Sequence, residues 1–192
     1  MKKTFLLITL TIVALVRAQS MQDILNIPGP IVFHEQEYFL HWSKANSKVY
    51  FTQNFLPRDQ HIDTFENLIA FNYFNADIDI EMAVRQKIES VQKLRESDKS
   101  VTLNMMQSPD NSEYIVEYSF TISPETTPPF LEYNLYKFSK LKSEKKPLLI
   151  TTYTRRFYTN LKEARKTIVK EKDMMMTEIA NFNPPDIKLI SK

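Results

Sequence analysis

Cysteine is absent from this chain, and a single glycine, Gly29, occurs among its 192 residues. Without thiols there are no disulfides, no lipid-carrying cysteine and no thiol nucleophile, so stability has to come from a hydrophobic core. One glycine excludes glycine-rich phosphate loops and the strained elbow that carries a nucleophilic serine. No long apolar run is present either. The longest, Phe5–Val16, falls short of the roughly 18 residues a membrane-spanning helix needs. Its setting is that of an export signal: Lys2 and Lys3 precede it, and Val16-Arg17-Ala18 offers a cleavage site before Gln19.

The chain also lacks a real excess of charge. Its 25 basic residues stand against 23 acidic ones, and removal of Lys2, Lys3 and Arg17 with residues 1–18 takes away the surplus. The basic character of the precursor therefore says nothing about partners. What remains suits one domain with one core. The expected division is a signal peptide over 1–18, an N-terminal lead over 19–36, a single α+β domain over 37–183 and a polar tail over 184–192.

What is present in abundance is strand pattern. Tyr114, Val116, Tyr118, Phe120 and Ile122 recur at period two within Glu113–Ser123. Leu131–Leu141 and Leu148–Tyr158 continue with aromatic and β-branched residues, joined by a lysine-rich turn. Val101–Gln107 and the turn Ser108–Asn111 precede them, and Glu37–Trp42 with Lys48–Leu56 reads as a hairpin. Asp63-Thr64-Phe65-Glu66 has the form of a capping box and predicts a helix over Asp63–Phe71. Ile80, Val84, Ile88, Val91 and Leu94 form an apolar stripe, predicting a second helix after Asp77–Asp79. Leu161, Ala164, Ile168, Met175, Ile179 and Phe182 mark a long final helix stopped by Pro184-Pro185. The expected order is ββ-αα-ββββ-α, an α+β domain with an antiparallel sheet of about six strands covered by amphipathic helices.

That order, with Trp42 before the hairpin turn, the strand end Asn54-Phe55-Leu56-Pro57 and the strand pair Tyr133–Phe138 and Tyr153–Phe157, resembles the PsbP-like fold group over Tyr38–Phe182. The resemblance implies an exported, non-catalytic accessory protein that binds larger partners. It brings no catalytic residues with it.

Candidate chemistry is sparse. His34-Glu35 opens a zinc-protease pattern whose second histidine would fall at Tyr38. Glu35, Glu37 and His41 share a strand face, which reads as a solvated polar edge. Asp77, Asp79 and Glu81 read as acids at a helix start, where they complement its dipole. No cofactor and no metal is expected. The clearest feature is a run of basic charge: twelve Lys and Arg between Lys137 and Lys172 against only Glu144, Glu163 and Glu171. Lys142, Lys145, Lys146, Arg155 and Arg156 form the expected binding patch. Export points it toward an acidic protein, an acidic glycan or a phosphorylated lipid of the cell envelope rather than nucleic acid, with the periplasm favoured over full secretion. The function expected is that of an exported accessory or binding protein. A hydrolase with a site assembled from loops, or a carrier of an apolar or amphipathic ligand lodged between sheet and final helix, are the alternatives.

Overall fold

A computed structural model describes residues 22–190; the expected signal peptide lies outside the described residues. Eight strands form one curled antiparallel sheet: β1 (Ile31–Phe33), β2 (Gln36–Ala45), β3 (Tyr50–Leu56), β4 (Asn67–Phe74), β5 (Thr102–Gln107), β6 (Glu113–Ile122), β7 (Phe130–Lys140) and β8 (Leu148–Phe157). Two helices accompany it, α1 (Ile80–Ser97) and α2 (Leu161–Asn181). The spatial order is β1-β2-β3-β4-β8-β7-β6-β5. Two four-stranded meanders are thus welded along the β4–β8 seam, where eight residue pairs run from Asn67↔Arg155 to Phe74↔Leu148.

This corrects the expected sheet of about six strands covered by helices, and the ββ-αα order: the chain is mostly one curled eight-stranded sheet, and its two helices leave part of it open. The segment read as a helix over Asp63–Phe71 is a turn followed by β4, which lies in the middle of the sheet. Its spacing misleads because both faces of β4 are buried: Ile69, Phe71 and Tyr73 point to one side, Leu68 and Ala70 to the other. Apolar residues on two faces mimic the three- and four-residue recurrence of a helix. The capping signal is likewise spent differently. The Gln60 side-chain oxygen accepts from the amides of Glu66 (2.9 Å) and Asn67 (3.0 Å), turning the chain into the strand. The second helix starts where the stripe places it, with the Asp79 carboxylate accepting from the Met82 amide at 3.0 Å.

The helices take opposite faces. On one, Ala164, Ile168, Met175 and Ile179 of α2 pack with Phe55, Phe71, Tyr133, Leu135 and Tyr153 of the sheet. Leu25 and Ile27 of the N-terminal lead belong to this core, and the tail closes over it through the Lys188 amide to the Leu25 carbonyl. On the other face, Val84 and Val91 of α1 pack on Tyr114, Val116, Tyr118 and Phe138. Each side chain of this size contributes about 1.5–3 kcal/mol when fully buried. Helices on both faces explain why β7 is buried at nearly every position.

One cation is part of this packing. Lys137 lies under the end of α2, where its ammonium donates to the carbonyls of Ala180 (2.8 Å) and Phe182 (3.2 Å) and pairs with Glu113 at 3.1 Å. It satisfies carbonyls that the last helical turn leaves free.

Candidate functional site

The two edges of the sheet are built differently. A free edge offers unpaired amides and carbonyls to any extended chain, and proteins usually blunt it with charge, proline or brevity. β1 is three residues long and follows Pro28 and Pro30. β5 is six residues, Thr-Leu-Asn-Met-Met-Gln, with no charge, proline or glycine. Among the described residues it pairs only with β6, from Thr102↔Ser119 to Gln107↔Tyr114, and Met105 and Met106 are exposed.

Each helix leaves a groove beside this edge. Because α2 lies over β7 and β8, the β5–β6 hairpin stands uncovered next to it, and a groove of about 610 Å³ opens between them. Thr102, Asn104, Glu117 and Ser119 form its floor; Arg165, Val169 and Lys172 form its helical wall. Glu117 is 8% exposed and receives only a long contact, 3.4 Å, from the Asn104 amide. Arg165 is steadied by the Thr121 hydroxyl at 3.3 Å and the Ser100 carbonyl at 3.5 Å. Opposite Ser119 on β7, the Tyr133 hydroxyl is buried beside Glu117 without a well-formed hydrogen bond. Burial, and then the Glu117 charge, push the phenol well above its ordinary pKa, so it stays protonated.

The second groove, about 330 Å³, lies on the opposite face between α1 and β5. Val84, Ile88 and Met105 give it an apolar surface, with Glu81 and Arg85 at its border. Strand geometry divides β5 between the two sides: Asn104 and Met106 face α2, Leu103 and Met105 face α1.

The expected basic patch is dispersed. Lys142, Lys145 and Lys146 sit on the turn between β7 and β8, while Arg155 and Arg156 lie near the far end of β8, about 23 Å away at strand rise. The two arginines also point to opposite faces. Arg155 pairs with Glu171 at 2.6 Å on the α2 face. Arg156 pairs with Glu132 at 2.9 Å on the α1 face, its guanidinium 3.9 Å above the Phe65 ring. Two other members of the same basic run, Arg165 and Lys172, share the wall of the larger groove, about two helical turns apart. The sequence signal for them was their spacing of seven on α2, which puts both on one face.

The remaining candidates are accounted for structurally. His34 pairs with Glu178 at 2.7 Å, His41 stacks edge-on against His61 with ring centroids 5.9 Å apart, and Asp77 pairs with Lys140. Among the described residues no group of three His, Asp or Glu side chains converges as metal ligands do.

A protein-family model matches residues 25–183, a stretch holding all eight strands, both helices and both grooves. The chain belongs to that family. No curated protein matches it, and no solved structure does.

Proposed function

We propose that the protein is an exported, non-catalytic binding protein that takes an extended acidic segment of a partner protein along β5. The observation that carries this reading is an unguarded edge strand set between a cationic groove and an apolar one. Addition of a strand to a sheet edge draws its affinity from main-chain hydrogen bonds, and its specificity from the sites that receive alternate side chains. A strand laid beside β5 would send every second side chain toward Arg165 and Lys172, and the others toward Val84, Ile88 and Met105. Acidic residues alternating with apolar ones fit that division. The exposed lysines 142, 145 and 146 add attraction at longer range, which raises encounter rates more than affinity.

Export rests on the basic start, the apolar run and the small residue before Gln19. It agrees with the accessory role that the PsbP-like resemblance implies. An acidic protein segment is favoured over a glycan or a phosphorylated lipid because main-chain pairing at β5 needs a polypeptide.

The test uses residues 19–192 and two eight-residue peptides, one alternating Glu with Val and one alternating Lys with Val. Amide hydrogen exchange is followed at Thr102–Gln107. The Glu peptide should slow exchange there, the Lys peptide should not, and Arg165→Glu with Lys172→Glu should reverse the preference. Protection that appears without peptide and grows with protein concentration would mean that β5 pairs with a second copy, and would end this reading. No protection by either peptide at millimolar concentration would end it as well.

A further inference from the structure

Lys87 lies on the flank of α1 that faces away from β5. Its ammonium stands 3.8 Å above the Tyr136 ring and 4.5 Å from the Tyr118 ring centroid, and donates to the Tyr118 hydroxyl at 2.9 Å. Rings attract a cation through their negative faces, but they do not neutralise it. Among the described residues no carboxylate lies within ion-pair distance of Lys87, and the Tyr118 hydroxyl is its one protein acceptor. The nearest acid that influences it, Glu132, is committed to Arg156. Burial lowers the ammonium to about 8, which marks a charge held out of water at a cost.

Beside this ammonium the sheet is open. α1 covers β5 to β7 but leaves the seam toward β4, and a pocket of about 320 Å³ lies there. Phe74, Tyr136, Phe138, Leu148 and Ile150 line it, with Lys87 as its one charged group. A second polar group on the same face, outside the pocket lining, is unpaired. Thr152 lies opposite Tyr136 on the adjacent strand, is 3% exposed, and its hydroxyl has no hydrogen-bond partner. A buried hydroxyl left unpaired is costly, and an ammonium partly withdrawn from water without a counter-charge costs more.

We propose that this pocket binds a small amphipathic monocarboxylate, its apolar body on Phe74, Phe138 and Ile150 and its carboxylate at the Lys87 ammonium. Lys87 supplies the N–H donors that the carboxylate takes up, and charge-assisted hydrogen bonds of this kind are the strong ones. One cation and an apolar lining suit a carboxylate. A phosphate would need more donors than the lining offers. The volume is at the low end for ligand pockets, so the apolar body is short, of medium-chain fatty-acid size. The site is independent of strand addition at β5, because α1 lies between them.

Calorimetric titration with octanoate and with 1-octanol tests the proposal, since the two share an apolar chain and differ in the head group. Octanoate should bind at least tenfold more tightly. Lys87→Met should remove that difference, Lys87→Arg should keep most of it, and Ala83→Trp, which fills the pocket from α1, should abolish binding of both. Equal affinities in the unaltered protein would overturn the proposal. So would octanoate binding that survives Lys87→Met or Ala83→Trp unchanged, because the ligand would then lie elsewhere.

Discussion

Arg156 and Glu132 sit directly across from each other on β8 and β7, with the guanidinium 2.9 Å from the carboxylate and both side chains largely out of water. The pair is roofed by Phe65 from the turn before β4 and by Phe130 at the start of β7, with the guanidinium 3.9 Å and 5.3 Å from their ring centroids. Glu132 also accepts from the Asn134 amide at 3.2 Å, and Asn134 in turn accepts from the Thr154 hydroxyl at 2.9 Å. An arginine that the sequence offers as a contact for partners is thus paired with a carboxylate and stacked on two rings, only 20% exposed.

Removing one member of such a pair should cost far more than removing both. Arg156→Met leaves the Glu132 carboxylate buried without its partner, a loss of about 3–5 kcal/mol. Arg156→Met combined with Glu132→Gln should recover much of that loss. Urea denaturation of the two single variants and the double variant gives the coupling directly. If Arg156→Met alone is neutral, the pair is better hydrated than the geometry indicates.

Stability should rise with pH through the region where Lys87 titrates. The unfolded amine titrates near its ordinary value of 10.5, whereas the folded one is lowered to about 8. Between these values the unfolded state binds more protons, so raising the pH favours folding. Lys87→Met should lack this rise, and the two stability profiles between pH 7.5 and 10 should differ in slope in that sense. A parallel pair of profiles would show that Lys87 keeps its normal pKa.

Alkali should then reverse the trend. Burial pushes Tyr153 up to about 12, and its hydroxyl donates to the Asn67 side chain at 2.8 Å. Tyr38, Tyr118 and Tyr133 are raised further, again mainly by burial. These phenols contribute stability that is fully present below pH 10 and is lost as pH climbs above it, because only the unfolded chain ionises them there. Absorbance at the phenolate band should show these four ionising together with unfolding.

Gln60 should matter more than its place in a loop suggests. Its side-chain oxygen holds the amides of Glu66 and Asn67, the entry to the central strand β4. Gln60→Ala should cost about 1 kcal/mol, since each net hydrogen bond contributes about that much and water replaces part of it. Hydrogen exchange at Asn67 should speed up while exchange at Phe71, deeper in the β4–β8 seam, stays slow.

Much of this fold is legible in the residues themselves. Local rules placed β2, β3 and the meander from β5 to β8, because those strands keep period two or end at turns rich in Pro, Asp and Asn. The stripe from Ile80 to Leu94 and the one from Leu161 to Ile179 fixed the helices for the same reason, since periodicity is a property of adjacent residues. Tertiary structure alone decided the rest. β4 is a strand because β3 and β8 flank it and both of its faces are buried, which no local spacing at Leu68, Ile69 and Phe71 can announce. Charge behaves likewise. The twelve cations of Lys137–Lys172 are countable in the sequence, but packing sets which of them are spent on Glu113, Glu132 and Glu171 and which remain beside a groove. Lys87, in an ordinary polar position of a helix, becomes distinctive only where two tyrosines of β6 and β7 rise to meet it.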